Sequence, residues 1–459
     1  MGRDSHNSVY IIAISVAAAL MLVPGGGNSA FAQIALPAVP GNLTHLPPPV
    51  LEKPVRSTVE RTADKTKDTT ESAAKTVDAA KASVTDTATS IVRDAGSAAG
   101  GLLRQFIPST DPGGAVIEQD VIVVLAEPDD VAGLPIPDDQ LLTRRELPAL
   151  GLTLLTLRRP TGVELPQAIE NVRSAFPTSA VDFNHVYRYE SETSRPASVL
   201  PGPPRDEVAT GLRVGMVDSA VEEDHPALAG SRVVARDFAT NEGIRPRTHG
   251  TAVASLVTGS AGGTATIYSA SVFFQVPNHE PGATTESLVA ALEWMAEERV
   301  PVVNMSLAGP GNALLEKAIA ATLARGLIVV AAVGNNGPSG PPLFPAAYDG
   351  VIGVTAVDHD DRIFRYANRG DQVDCAAAGV DLRVADSESG GWILASGTSM
   401  ASPHVAVVVA RALGSGTIEP ASVMSWLVAN ARDLGARGFD PVFGYGLITD
   451  PPSVASAAH

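Results

Sequence analysis

Apolar positions recur along this chain in two rhythms. From about residue 210 onward, short uninterrupted apolar runs alternate with longer stretches of helical spacing. The runs are Arg213–Val217, Val300–Met305, Leu327–Val333 and Val351–Val357, and the helical stretches include Glu286–Glu298 and Leu314–Arg325. Strands without polar alternation are buried on both faces, and strands separated by helices predict a parallel sheet covered on both sides. In such sheets functional groups collect beyond the carboxyl ends of the strands. Upstream the rhythm differs. Asp120–Ala126 (DVIVVLA), Leu152–Leu157 (LTLLTL) and Val181–Tyr189 (VDFNHVYRY) read as strands. Between the last two, Leu165, Ile169, Val172 and Phe176 share one helical face, with Pro166 early, where its missing N–H does no harm. Strand, strand, helix, strand predicts a small α+β module at 115–195, followed by a polar, Pro-rich boundary at 191–206.

The first 114 residues carry neither rhythm. Val9 to Val23 is apolar but for Ser15, follows Arg3, and precedes Ala30-Phe31-Ala32. That is the layout of a signal peptide ending at residue 32. The run falls short of the ~20 residues that span a bilayer, so an exported protein is expected, secreted or held in the cell envelope. Membrane attachment follows only if the segment stays uncleaved. Residues 33–114 read as a Pro-rich linker, with Pro47-Pro48-Pro49, and an Ala/Thr-rich stalk. Val77, Val84 and Ile91 recur every seven residues in that stalk, but side chains this small bury too little to offset the entropy of ordering.

Composition narrows the classes. Hydrophobic residues are 45% of 459, enough for a large core. Fifty acidic residues against 33 basic ones leave a net charge of −17, which excludes nucleic acid as the main partner. The single cysteine, Cys375, excludes an intrachain disulfide framework and a Cys-rich zinc site, and reads as a small buried hydrophobe. A dinucleotide enzyme is disfavoured because no G-x-G-x-x-G follows a strand and opens a helix.

Four polar elements stand where the strand-end rule expects them. Asp218 closes the strand Arg213–Val217, and His249 lies in THGTAVAS at a helix entry. Asn335 lies in GNNG after the run ending at Val333, and Ser399 lies in GTSMASPHVA before a small-residue helix. A serine needs an adjacent base to become a nucleophile, and a histidine suits that task near neutral pH. A buried carboxylate then orients the imidazole, and an amide N–H beside a helix-start N–H stabilises the oxyanion. Taken singly, each element is equally a turn, a cap or a satisfied polar group.

Together they resemble the subtilases, the subtilisin-like serine peptidases. The matching stretches are VGMVDSA around Asp218, HGTAVAS around His249 and GTSMASPHVA around Ser399, with VVNMSLAGP, AAVGNNG, FPAA and GYGLI besides. The resemblance covers about 205–459 and follows the family order Asp, His, Ser. It implies a subtilisin-like three-layer α/β sandwich with a mainly parallel central sheet, preceded by the small α+β module. It makes Ser399 the nucleophile, His249 the general base and acid, Asp218 the orienting carboxylate and Asn335 the oxyanion donor. Ser306, Leu307 and Ala308 resemble the edge strand that pairs with an extended polypeptide substrate. Residues 331–334, including Ala332 and Gly334, would wall the primary specificity pocket.

The module at 115–195 is similar in position and size to a subtilase pro-domain, an intramolecular inhibitor and folding aid. An exported serine endopeptidase made as an auto-inhibited precursor is therefore expected. The competing reading is a catalytically silent subtilase fold that binds peptides or acts as a scaffold. Some positions depart from the family. Ala220 and Ala252 replace a usual Gly and a usual second His, and Ala308 replaces a substrate-strand glycine, where a methyl group could crowd a bound backbone. Segment 258–272, where many subtilases hold calcium, has no Asp or Glu, so neither that metal site nor any cofactor is expected.

Overall fold

The computed structural model describes residues 103–131, 136–189, 192–196 and 211–449. The predicted signal peptide and most of the predicted stalk lie outside them. Before residue 190 the elements are β1 (Pro108–Thr110), β2 (Val116–Ala126), α1 (Pro128–Val131), β3 (Leu141–Leu147), β4 (Leu152–Arg158), α2 (Leu165–Ala175) and β5 (Ala180–Tyr189). A short strand β6 (Glu192–Pro196) follows.

From residue 211 come β7 (Arg213–Asp218), β8 (Arg232–Asp237), α3 (Thr248–Ser260), β9 (Thr266–Ser271), β10 (Phe273–Phe274), β11 (Gly282–Thr284) and α4 (Thr285–Glu297). Next are β12 (Val302–Met305), β13 (Leu307–Ala308), α5 (Ala313–Ala324), β14 (Ile328–Ala332) and β15 (Ile352–Val357). The last are β16 (Cys375–Ala378), β17 (Leu382–Ala385), β18 (Trp392–Ser396), α6 (Thr398–Gly414) and α7 (Val423–Asn430).

Seven strands form one sheet in the order β16-β15-β14-β12-β7-β9-β8, and every neighbouring pair is parallel. Alternate residues face opposite layers. Val214, Met216, Val302 and Val330 pack with Val253, Val257, Met400 and Val405 of α3 and α6. Val217, Val303, Met305 and Val329 pack with Leu288, Leu292, Leu314 and Ile319 of α4 and α5. A strand covered on both faces has no solvent side to mark with polar residues, which is why these runs read as continuous.

The second sheet is antiparallel, in the order β10-β11-β5-β2-β4-β3, with β1 also on β2 and β13 also on β5. Val121, Val123 and Leu125 of β2, with Leu152 and Leu154 of β4, join the cluster on α4 and α5. Ile122 and Val124, with Leu155 and Leu157, turn the other way onto Ile169 of α2, Phe176 and Val181. Residues 103–114, which the sequence reading assigns to the end of the stalk, belong to this sheet. They carry β1, and the Arg104 backbone bonds to Thr240 and Glu242.

Polar groups join the two sheets as well. The Asp182 carboxylate accepts from Ala313 N–H at the start of α5 (3.0 Å), and Asn184 Oδ1 accepts from Glu286 N–H at the start of α4 (3.1 Å). Both satisfy helix N–H groups that have no partner within their helix. Glu293 of α4 accepts from the backbone N–H groups of Ala149 and Leu150, each at 2.8 Å. Arg104 bridges Glu118 of β2 and Glu286 of α4, and the Asn184 and Asn241 amides also donate to Glu118, both at 2.8 Å.

Candidate active site

Asp218 closes the parallel strand β7, Asn335 follows the parallel strand β14, and Ser399 follows β18, which lies in a separate antiparallel sheet with β17 and β6. Asp218 is the last residue of β7 and is fully buried. Its Oδ1 accepts from its neighbour's N–H at Ser219 (2.6 Å) and bonds to Nδ1 of His249 (2.7 Å), on the first turn of α3. A carboxylate against Nδ1 makes that nitrogen the donor and leaves Nε2 as the basic end of the ring. His249 Nε2 is buried without a hydrogen-bond partner. The loop after β7 and the start of α3 are clamped together: Ser219 Oγ accepts from Gly250 N–H at 2.7 Å. A Cβ on Gly250 would stand 2.3 Å from the Ser219 carbonyl oxygen, so only glycine permits this approach.

Ser399 is fully buried on the first turn of α6, entered through Gly397 at φ 148°. The pattern Ser399-Met400-Ala401-Ser402-Pro403 has a specific consequence. Pro403 has no N–H, so the Ser399 carbonyl lacks its helical donor four residues on. Ser306 Oγ donates to that carbonyl instead (2.9 Å), and also contacts Ser402 Oγ (3.0 Å) and accepts from Asn304 Nδ2 (2.8 Å). Ser306 thus ties the end of β12 to the turn that carries Ser399.

Asn335 follows β14. Its Oδ1 accepts from both the backbone N–H and the hydroxyl of Thr398, each at 3.1 Å, and Thr398 Oγ1 accepts from Gly334 N–H (3.2 Å). With Oδ1 committed to Thr398, Nδ2 is the end of the amide that can donate to an oxyanion. Ala332 closes β14, fully buried. Gly334 lies at φ 100°, and a Cβ there would stand 2.5 Å from Leu343 Cδ1. Leu343 thus lies against this wall.

The residues expected to meet a substrate strand are paired within the chain. Leu307 and Ala308 form β13, antiparallel to the end of β5, with Leu307 opposite Tyr189 and Ala308 opposite Arg188. The Ala308 methyl group therefore does not prevent strand pairing there. Tyr189 lies on His249, with ring centroids 4.5 Å apart and planes 12° apart. Burial, and then the Asp218 charge, push its phenol up to about 12, so it stays protonated at neutral pH. Beyond it, β6 pairs antiparallel with β18, which ends three residues before Ser399.

Tyr189, Asn304 and Ser402 were not singled out from sequence. Asn304 had a signal, a lone amide in an apolar strand. Tyr189 had none, since its pairing partner is more than a hundred residues away. The described residues hold one group of potential metal ligands, Asp358, His359 and Asp360 in the turn after β15, largely exposed. Segment 258–271 is occupied by the end of α3 and by β9.

Comparisons with known proteins bear on the family and the fold. The profile of the subtilase family matches residues 209–446. Subtilisin DY of Bacillus licheniformis is 31% identical over 246 residues, covering 52% of this chain and 88% of its own. A thermophilic serine proteinase of Bacillus sp. strain AK1 is 34% identical over 216 residues, 45% of this chain. The chain spans about half of that relative, 53% of its length. The crystal structure of fervidolysin from Fervidobacterium pennivorans, a keratinolytic enzyme related to subtilisin, superposes with a TM-score of 0.59 at 20% identity. That match covers 75% of this chain and 62% of fervidolysin, and at this identity it supports the fold alone.

Proposed function

The chain belongs to the subtilase family of serine endopeptidases, and from that premise we propose that it is an exported peptidase, made as an auto-inhibited precursor and acting through Ser399, His249 and Asp218. The observation that carries the catalytic reading is the buried 2.7 Å bond between His249 Nδ1 and Asp218 Oδ1, at the carboxyl end of β7.

In this reading His249 Nε2 takes the proton from Ser399 Oγ as the oxygen attacks the substrate carbonyl carbon. Asp218 keeps the imidazole in the tautomer that presents Nε2 and stabilises the imidazolium formed. The oxyanion receives the Asn335 Nδ2 N–H and the Ser399 backbone N–H. His249 then gives the proton to the leaving amine, and water hydrolyses the ester by the same steps in reverse. The substrate is an extended polypeptide that adds a strand to Ser306–Ala308, with Ala332 and Gly334 beside its side chain.

The pairing of β5 with β13 supports the precursor reading, because the edge meant for a substrate is held by the chain's own upstream strand. Export rests on the signal-like segment at 1–32. Among the described residues no helix is long and apolar enough to cross a membrane.

Fluorophosphonate labelling of purified protein beside a Ser399→Ala variant tests the catalytic reading. Labelling of wild type alone is expected. Labelling that first requires limited proteolysis near residue 200 assigns release of the inhibitory module to another protease. No labelling under either condition overturns the enzyme and leaves a peptide-binding subtilase fold.

A further inference from the structure

One face of the His249 ring is covered by an aromatic side chain, in a way that leaves its edge free for chemistry. Tyr189 lies parallel to the imidazole, with centroids 4.5 Å apart and planes 12° apart. Phe273 of β10, fully buried, stands against the same phenol ring, at 5.1 Å and a tilt of 53°. The ring nitrogens bond in the plane of the ring, where Nδ1 meets Asp218 Oδ1 at 2.7 Å. A ring stacked on the face blocks neither that bond nor the approach of a hydroxyl to Nε2.

The register says which substrate residue would enter this slot. β5 lies antiparallel on β13, with Arg188 opposite Ala308 and Tyr189 opposite Leu307. A polypeptide that adds to the same edge in that register places one side chain where Tyr189 stands and its next residue opposite Ser306. The Ser306 hydroxyl donates to the Ser399 carbonyl at 2.9 Å, so that next residue is the one whose carbonyl meets the serine. Successive side chains of an extended strand point to opposite faces, so the slot belongs to the earlier residue alone.

Three features of the slot suit an uncharged aromatic ring. Parallel stacking on His249 and tilted contact with Phe273 are arrangements that aromatic rings prefer. Burial, and then the Asp218 charge, push the Tyr189 phenol up to about 12, and both causes oppose a carboxylate there. Once His249 takes the serine proton the imidazole is a cation, and an aromatic face attracts a cation where an aliphatic side chain does not. That attraction arises only with the proton transfer, so it lowers the barrier rather than tightening binding.

On the peptidase reading above, we propose that this protein prefers substrates with an aromatic residue one position before the acyl residue, held by Phe273 as a specificity-determining residue and lying over the His249 imidazolium. The serine proton still passes to Nε2 and on to the leaving amine; the aromatic ring is chemically unchanged.

The test gives full-length protein four peptides that differ only at that position: Tyr, cyclohexylalanine, Ala or Asp. Active sites are counted by fluorophosphonate labelling, with and without limited proteolysis near residue 200. The Tyr peptide should exceed the Ala peptide by at least about 10-fold in kcat/KM, with Asp slower still. Cyclohexylalanine fills a similar volume without a π face, and Tyr should exceed it by about 2–5-fold in kcat rather than in KM. Phe273→Leu should narrow the Tyr-to-Ala ratio to about 3-fold or less, and a ratio within one variant does not depend on how much of it folds. Labelled protein that cuts the Tyr and Ala peptides alike, or cuts none of the four, overturns this inference and spares the peptidase. Equal kcat for Tyr and cyclohexylalanine overturns the role of the imidazolium, and an unchanged ratio in Phe273→Leu overturns that of Phe273. Protein that neither labels nor cuts removes the peptidase reading and this inference with it.

Discussion

The second half of β2, Val121–Ala126, and β14 both read as unbroken apolar runs, yet their surroundings differ in a way that separates the two halves of the molecule. β14 lies inside the parallel sheet, covered by α6 on one face and by α5 on the other, both from the same stretch of chain. β2 has its own helix, α2, on only one face, and its other face is buried by α4 and α5 from the downstream region. The parallel sheet carries its covering layers with it. The antiparallel sheet borrows one of them. A small α+β element with half of its apolar surface committed to a neighbour has little core of its own, and small cores are marginal.

The largest expected effect isolates the chemistry from that architecture. Ser399→Ala should lower peptide hydrolysis by about 10⁶-fold, the scale of losing this serine in subtilisin, while leaving both sheets folded. Turnover of a peptide substrate and a circular dichroism melt measure the two halves of that statement. Next comes the shared core, tested in the uncut Ser399→Ala chain. Leu125→Ala, facing α4 and α5, and Leu155→Ala, facing α2, should each cost about 2–5 kcal/mol in denaturant titration. Only Leu125→Ala should speed hydrogen exchange in α4 and α5; equal effects on those helices would mean that the borrowed layer does not depend on the antiparallel sheet.

Asn335→Ala should reduce kcat by about 100–1,000-fold, the loss seen for the equivalent donor in subtilisin, with little change in KM. A larger change in KM than in kcat would assign Asn335 to substrate binding rather than to the oxyanion.

One pH effect belongs to the junction between the two sheets. Burial would raise the Glu286 carboxyl, but the Arg104 charge, its hydrogen bonds and the Arg145 charge outweigh burial and hold it below the usual 4.5. A depressed carboxyl contributes stability that is present above pH 4.5 and is lost as pH falls through its folded value. Glu293 works in the opposite sense, because burial pushes its carboxyl up. Melting of the uncut Ser399→Ala chain should therefore fall more steeply below pH 4.5 than that of the same chain carrying Glu286→Gln. The smallest effect expected is that of Asp182→Ala, which removes the β5 carboxylate from the start of α5 and should cost about 0.5–2 kcal/mol, read by the same titration.

What could be read from sequence was local. The parallel sheet announced itself because strands covered by helices on both faces are apolar throughout, as in Leu327–Val333. Asp218, His249, Asn335 and Ser399 stood out because each sits in a short stretch of demanding backbone. Gly250 admits the Ser219 carbonyl, Gly397 takes a positive φ, and Pro403 frees the Ser399 carbonyl.

The union of the two sheets left far weaker traces. DVIVVLA was legible as a strand, but nothing in it indicates that helices from the downstream region cover its second face. Likewise VDFNHVYRY gave no reason to place Asp182 and Asn184 at two helix starts, or Tyr189 on His249. Backbone constraints such as a positive φ or a missing N–H act within a few residues, and so they select residue types that can be read in order. Strand pairing uses backbone N–H and C=O groups that nearly every residue carries. An antiparallel match between residue 189 and residue 307 therefore imprints little on either segment, and it exists only once the chain has folded back on itself.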